Sequence, residues 1–330
     1  MTRIDTIQRI LLPLVAALAF MLTLGCAASH HATRPGSLGE TASSAQMETA
    51  LSSPGPIRFE RVRAADWEVA RSGLINLDHP RAKAAGLEDG PEAIGVYFYV
   101  LEHPTQGIFI VDSGVEAGFR DPGGNPRVGF LVESAMNTEA LVVHTTTAEW
   151  LAEQKGEISG VFLTHLHLDH VMGLPDVPES TPVYIGPGET RASAFLNLFT
   201  RGTIDGMLEG AGALEVWPFE PDPTENFAGV LDIFGDGSVW ALHVPGHTPG
   251  STAFLVRTTE GPKLLVGDAS HTRWGWENEV EPGTFTADHE ANAASLAALR
   301  SLSGRYPEIE VHLGHQTLDA DRLAATSHAK

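Results

Sequence analysis

The segment VFLTHLHLDHVMGLPD, Val161 to Asp176, sets Thr164, His165, His167, Asp169 and His170 directly behind an apolar run. Three imidazoles and a carboxylate crowded this closely suit bound cations. A hydrolytic centre with two ions needs roughly three protein donors per ion, an open position for water, and a shared group spanning an ion separation of roughly 3.5–4 Å. His165 and His167, two apart on extended chain, can aim both rings at one ion. Asp169 and His170, where the chain turns, can face a second ion beside it. Leu166 and Leu168 point the other way and anchor the loop in the core. Neutral imidazoles and carboxylates suit zinc, and also iron, manganese or cobalt. Cys26 is the only cysteine, so neither a thiolate cluster nor an internal disulfide is available.

Donors of this kind need rigid supports, and the surrounding sequence supplies strands. IGVYFYVLEH (Ile94–His103) and GIFIVDSG (Gly107–Gly114) are β-rich runs separated by the turn-like Pro104-Thr105-Gln106, a hairpin whose second strand ends on Asp112. ISGVFLTH (Ile158–His165) is a buried strand preceded by the helix-like TTTAEWLAEQKG. TPVYIG, SVWALHVPGH, GPKLLVGDAS and EIEVHLGHQ read as further strands with polar ends. The clearest helix is Thr286–Gly304, with Thr286 as its cap, Leu296 and Leu299 on one face, and Gly304 as its stop. Strands interleaved with helices suggest two packed sheets covered by helices, an α+β sandwich. The polar residues fall at strand ends, which places candidate ligands on one rim of the sheets.

The full His-x-His-x-Asp-His run behind a strand resembles the signature of the metallo-β-lactamase superfamily, and the other elements of that family follow in order. Asp112-Ser113-Gly114 is similar to its early Asp-x-Gly turn, VPGHTPGS to the segment that supplies the next histidine, His247, LLVGDAS to the strand that ends in a bridging aspartate, Asp268, and HLGH to the last ligand strand, with His315 in the ligand place. The resemblance spans about residues 90 to 318 and implies the αβ/βα four-layer sandwich of that family. It also implies roles: His165, His167 and His247 around one ion, Asp169, His170 and His315 around the other, and Asp268 between them. The cofactor is then two divalent ions, zinc first, and the reaction is attack of a bridging hydroxide on a carbonyl carbon. Asp169 could steer that hydroxide or shuttle a proton. Asp112 and Thr164 are expected to orient ligands.

The spacing of the last ligands is similar to that of the acyl-homoserine lactone lactonases. In those enzymes the place three residues past the bridging aspartate carries a tyrosine that contacts the substrate carbonyl; here it is His271, a candidate catalytic hydrogen-bond donor to the substrate or its leaving oxygen, or else a solvent-facing loop residue. Asp268 stands where cysteine-using β-lactamases carry cysteine, which excludes those classes. A small ester-like substrate, a lactone above all, is therefore expected. The rivals are a glyoxalase-II-like thioester hydrolase, a persulfide dioxygenase with a single iron, and a non-catalytic metal-binding lipoprotein. Trp274 and Trp276 in TRWGWENEVEPG could line an apolar cleft or pack in the core. The amphipathic stretch Thr190–Leu208, with Phe195, Leu198 and Phe199 clustered, could shape the pocket, though Phe195 and Phe199 are expected in the core. His243 and His312 are expected to be hydrogen-bonded core or rim residues, and His79, His103, His144, His289 and His328 have no partner pattern.

Acidic residues outnumber basic ones by 42 to 21, a formal charge of -21, which disfavours nucleic acid as substrate and fits small molecules better. At the N-terminus Arg3 and Arg9 precede the apolar run Ile10–Leu24, which contains Pro13 and is short for a membrane span. LTLGC, Leu22–Cys26, resembles a bacterial lipobox. Residues 1–26 are thus expected to form a lipoprotein-type export signal, with a lipid anchor at Cys26 on the cell envelope. Residues 27–56, rich in Ser, Ala, Thr, Gly and Pro, are expected to be a flexible tether, and residues 57–330 a single catalytic domain.

Overall fold

The computed structural model describes residues 27–120, 124–129, 132–133, 136–154, 156–193 and 197–318. Its strands form two sheets. The first has eight strands in the order β1 (Thr33–Pro35), β9 (Leu214–Val216), β8 (Val183–Ile185), β7 (Ile158–Phe162), β5 (Gly107–Val111), β4 (Pro91–His103), β3 (Arg58–Ala70) and β6 (Val142–Val143). The second has six in the order β14 (Glu310–His312), β13 (Gly261–Leu265), β12 (Thr252–Thr258), β11 (Val239–His243), β10 (Gly229–Asp232) and β2 (Glu40–Ala42). The helices are α1 (Ser44–Ala50), α2 (Arg71–Leu74), α3 (Pro80–Ala84), α4 (Thr147–Glu153), α5 (Leu168–Val171), α6 (Asn197–Met207), α7 (Arg273–Asn278) and α8 (His289–Arg305).

Side-chain alternation along the strands sorts the core into three layers. On β4, Tyr97, Tyr99 and Leu101 face the second sheet, while Val96, Phe98 and Val100 face helices. On β11 and β12, Val239, Ala241, Phe254 and Val256 meet them across the interface, while Trp240, Leu242, Ala253 and Leu255 turn outward. Leu74, Trp150, Val171, Ile204 and Met207 cover the first sheet's outer face, and Met47, Trp276, Leu296, Leu299 and Leu302 cover that of the second. The result is helix, sheet, sheet, helix: the four-layer α+β sandwich expected from the sequence.

The long hairpin β4–β5 forms where expected; Gly107 closes it at φ 100°, a conformation that suits glycine. Helix α4 carries a capping box, Thr146 with Glu149. Two expectations change at the ends of helix α8. Helix α8 is capped by Asp288, whose side chain accepts from Ala291 N at 3.0 Å, and it ends at Arg305 rather than Gly304. Thr286 is freed for another task described below.

The tether expectation for residues 27–56 is overturned. β1 pairs in parallel with β9, and Arg34 Nη2 lies 2.7 Å from Glu215 Oε1. β2 pairs with β10, and α1 follows with its own capping box, Ser43 with Gln46, and a fully buried Met47. Three-residue edge strands bond through their backbones and leave most side chains exposed, so they carry no apolar periodicity. The export signal expected for residues 1–26, and Cys26 with it, lies outside the described residues.

Candidate metal centre

Strand direction explains why distant segments meet. In the first sheet β5 and β7 run parallel. In the second, β11 and β13 are each antiparallel to β12, and β14 is parallel to β13, so those three share one direction. The chain leaves the C-terminal end of each of these five strands and delivers a polar side chain at once: Asp112 after β5, His165 and His167 after β7, His247 after β11, Asp268 after β13 and His315 after β14. Asp169 and His170 ride on α5, the single turn that follows His167.

Two groups result. The ligand-capable atoms of His165, His167, His247 and Asp268 all lie within 4.8 Å of one another, and so do those of Asp169, His170, Asp268 and His315. Asp268 belongs to both. Its Oδ2 lies 3.5 Å from His165 Nε2, 3.3 Å from His170 Nε2 and 3.5 Å from His247 Nε2, and its Oδ1 lies 3.3 Å from His315 Nε2. Asp169 Oδ2 lies 3.1 Å from His315 Nε2. All seven expected ligands are brought together.

Hydrogen bonds behind the rings set their orientation. His170 Nδ1 meets Asp112 Oδ2 at 2.9 Å, His315 Nδ1 donates to Gly95 O at 3.0 Å, His247 Nδ1 meets Thr286 Oγ1 at 3.3 Å, and His165 Nδ1 meets Thr164 Oγ1 at 3.1 Å. Each ring thereby turns Nε2 inward, as metal-facing imidazoles do. Asp112 also accepts from Thr164 N at 2.9 Å, and adopts φ 60° to do so. This is the orienting role expected for Asp112 and Thr164.

The electrostatics fit a cation. Burial, then neighbouring imidazoles, drive His165 well below its ordinary pKa. Burial takes His167 down to about 4, and burial followed by His167 lowers His247. These rings are neutral, with lone pairs to give. Burial opposes ionisation of Asp169 and Asp268, but the surrounding imidazoles outweigh it and keep both deprotonated. His165 Nε2 and His170 Nε2 are buried with no hydrogen-bond partner. Two unpartnered nitrogens beside a buried carboxylate are costly alone, and a shared divalent ion would satisfy them together. The donor set suits zinc, iron, manganese or cobalt.

Glu189 is a part of the site that the sequence reading missed. Fully buried, it accepts from Leu166 N at 3.0 Å and Gly250 N at 2.8 Å, and from the Thr248 hydroxyl. It thus ties the His165–His167 segment to the loop that carries His247. Burial raises its pKa, against those hydrogen bonds. Its only sequence signal is an acidic residue in a Gly-rich turn, which is no signal at all without the partners.

His271 is 3% exposed, so it is not a solvent-facing loop residue; its Nε2 lies 2.8 Å from Asp268 Oδ2. His243 bonds Pro249 O at 2.9 Å and stacks on Phe219, the role expected of it, while His312 packs against Phe59 and Tyr99 with Nε2 3.2 Å from Glu310 Oε1. His103, His144 and His289 pair with Asp236, Asp66 and Glu281, and His79 caps α3. Trp276 is buried in the outer core of the second sheet, with the Arg300 guanidinium 5.7 Å from its ring centre, and Trp274 packs against the other outer core. Trp276 is thus a core residue, whereas Trp274 is only partly buried. Phe199 is exposed at 54%, against the expectation of core packing, and Leu198 at 43%, because Ile204 and Met207 form the inward face of α6. Phe195 and His328 lie outside the described residues.

Comparison with known proteins agrees with this picture. An N-acyl homoserine lactonase AttM of Azorhizobium caulinodans is 30% identical over 216 residues, which span 64% of this chain and 78% of that protein. An N-acyl homoserine lactonase AttM of Agrobacterium fabrum is 27% identical over 232 residues, 67% of this chain and 82% of that one. The crystal structure of a quorum-quenching N-acyl homoserine lactone lactonase shares the fold, with a TM-score of 0.55 at 20% identity over 82% of this chain and 96% of its own. Residues 92–315, which contain the entire donor cluster, match the description of the metallo-beta-lactamase superfamily. The chain therefore belongs to the metallo-β-lactamase superfamily and is a hydrolase of that family.

Proposed function

We propose that the protein is a lactonase with a two-ion centre, in which His165, His167 and His247 hold one ion, Asp169, His170 and His315 the other, and Asp268 bridges them. The observation that carries this reading is the sharing of Asp268 by both donor groups. Bound divalent ions at such a centre acidify water into a nucleophile and polarise a carbonyl oxygen. The chain's own residues do the rest. Asp112, Gly95, Thr286 and Thr164 fix the imidazoles. Asp169, whose side chain is 14% exposed against 3% for Asp268, lies nearer solvent than the shared carboxylate and is placed to orient the attacking water and take its proton. Addition of water across the ring C–O bond gives the hydroxy acid. The relatives named for N-acyl homoserine lactone hydrolysis support a lactone with an acyl chain as the substrate. Zinc is the ion this donor set favours first.

Export belongs to the same reading: the basic start, the apolar run Ile10–Leu24 and the lipobox-like Leu22–Cys26 support a lipid-anchored envelope protein. Mass spectrometry of the mature protein should find a diacylated Cys26; an intact Met1 would sink that part.

The deciding experiment measures metal per chain alongside turnover of a long-chain acyl-homoserine lactone, a glutathione thioester and a cephalosporin. Two zinc-like ions with lactone turnover, both lost in Asp268→Ala, are expected. One iron per chain without hydrolysis would end the hydrolytic two-ion reading in favour of a dioxygenase.

A further inference from the structure

The start of helix α8 lies against two donor loops, and Asn292 stands where they meet. Ser295 Oγ donates to Pro245 O at 2.7 Å, Asp288 N to Gly246 O at 2.9 Å and Ala287 N to His247 O at 3.0 Å. On the other side Asn292 Nδ2 donates to Ala269 O at 3.1 Å, one residue past Asp268. Gly246, at φ 142°, comes so close that a Cβ there would lie 2.2 Å from Asn292 N. Asn292 itself is fully buried. We propose that Asn292 is a positioning residue, which fixes the turn carrying Asp268 and so aims the shared carboxylate at both donor groups. The proposal rests on the two-ion centre above and concerns what holds its bridge.

Asp268 needs that support from its backbone. The rings of His165, His170, His247 and His315 each have a hydrogen-bond partner behind them. Asp268 Oδ1, by contrast, is buried with no hydrogen-bond partner, and Oδ2 has His271 Nε2 at 2.8 Å. One contact on one oxygen does not fix the plane of a carboxylate, so the main chain of the turn Gly267–Ala269 must set its direction. The turn's own bond, Ala269 N to Val266 O, is long at 3.4 Å. The Asn292 amide supplies the firmer tie.

The other end of that amide argues the same way. Asn292 Oδ1 is buried without a hydrogen-bond partner, which costs stability. An apolar side chain of similar shape would avoid that cost, so packing alone does not call for asparagine here. Donation to Ala269 O does.

The test loads the purified full-length protein, Asn292→Leu and Asn292→Ala with manganese(II). Electron paramagnetic resonance reads the spin coupling between the two ions, and chelator competition reads the affinity for the second. Leucine keeps the side-chain volume, and alanine stands in should leucine's branch disturb folding; melting of the metal-free forms monitors the fold. Weaker coupling and second-ion binding weakened about 10-fold or more are expected. A folded variant with wild-type coupling and second-ion affinity would overturn the positioning role, whatever its melting temperature, and leave the two-ion centre standing. A wild type that binds fewer than two ions would refute the centre itself and the proposal with it.

Discussion

Asp112 Oδ2 sits 2.9 Å from His170 Nδ1, and both residues are buried. The carboxylate serves two clients at once, because Oδ1 accepts from Thr164 N at 2.9 Å. An amide cannot accept at both ends. Asp112→Asn, which tolerates φ 60° as well as aspartate does, should therefore lower metal affinity and lactone turnover by about 10- to 100-fold. Chelator competition and initial rates measure this; unchanged retention would mean that Asp112 only fills space.

Gly314 is as critical as any donor. A Cβ there would lie 2.2 Å from Asp268 Oδ1 and 3.0 Å from Gly267 O. Gly314→Ala must displace the shared carboxylate, and a shift of that size costs on the order of 100-fold in rate. Metal content and turnover should fall together while the metal-free protein keeps nearly its wild-type melting temperature. Full activity in this variant would mean the backbone yields instead.

Glu310 offers a pH test away from the donor cluster. A hydrogen bond from His312, opposed by burial and reinforced by Lys263 Nζ at 2.5 Å, brings its pKa down from 4.5 to about 2. A depressed carboxylate contributes stability that is present above pH 4.5 and lost as the pH falls toward 2. Glu310→Gln should be less stable than wild type at pH 6, with the gap closing below pH 4.5. Since the side chain is 43% exposed, the gap is held to about 1 kcal/mol or less. Urea unfolding at pH 6 and pH 3.5 reads it directly; a gap that widens on acidification contradicts the assignment.

Met47 tests the N-terminal segment. It is fully buried in the outer core of the second sheet. Met47→Ala should cost about 2–5 kcal/mol, the range for truncating a buried large side chain. Chemical denaturation would give nearly zero if residues 27–56 were only a tether.

What the sequence disclosed, and what it withheld, follows from the range of the interactions. The β4–β5 hairpin, the strand ahead of His165 and α4 were legible because alternation, turn chemistry and capping are local. The donors His165 to His170 were legible because they sit on a short stretch, and His247, Asp268 and His315 because each follows a strand of readable pattern. Glu189 was illegible: its partners come from segments 23 and 61 residues away. β1 and β2 were illegible because their bonds belong to β9 and β10, far along the chain. The cap of α8 was misplaced by two residues since Thr286 and Asp288 are both good caps, and only the packed structure shows Thr286 already engaged by His247.

The folded N-terminal segment has a consequence for how the molecule would stand on a surface. Ala27 bridges to Ser193, and Ser29 N donates to Thr190 O at 3.2 Å, one position from Glu189, the clamp between the two donor loops. A lipid on Cys26 would leave no slack, since one residue of chain spans only about 3.8 Å. The domain would not drift at the end of a leash; it would be held close to the bilayer, with the Thr190 edge near the point of attachment. An acyl chain dissolved in that bilayer would then have little aqueous distance to cross, whereas a long tether would have let the same site roam.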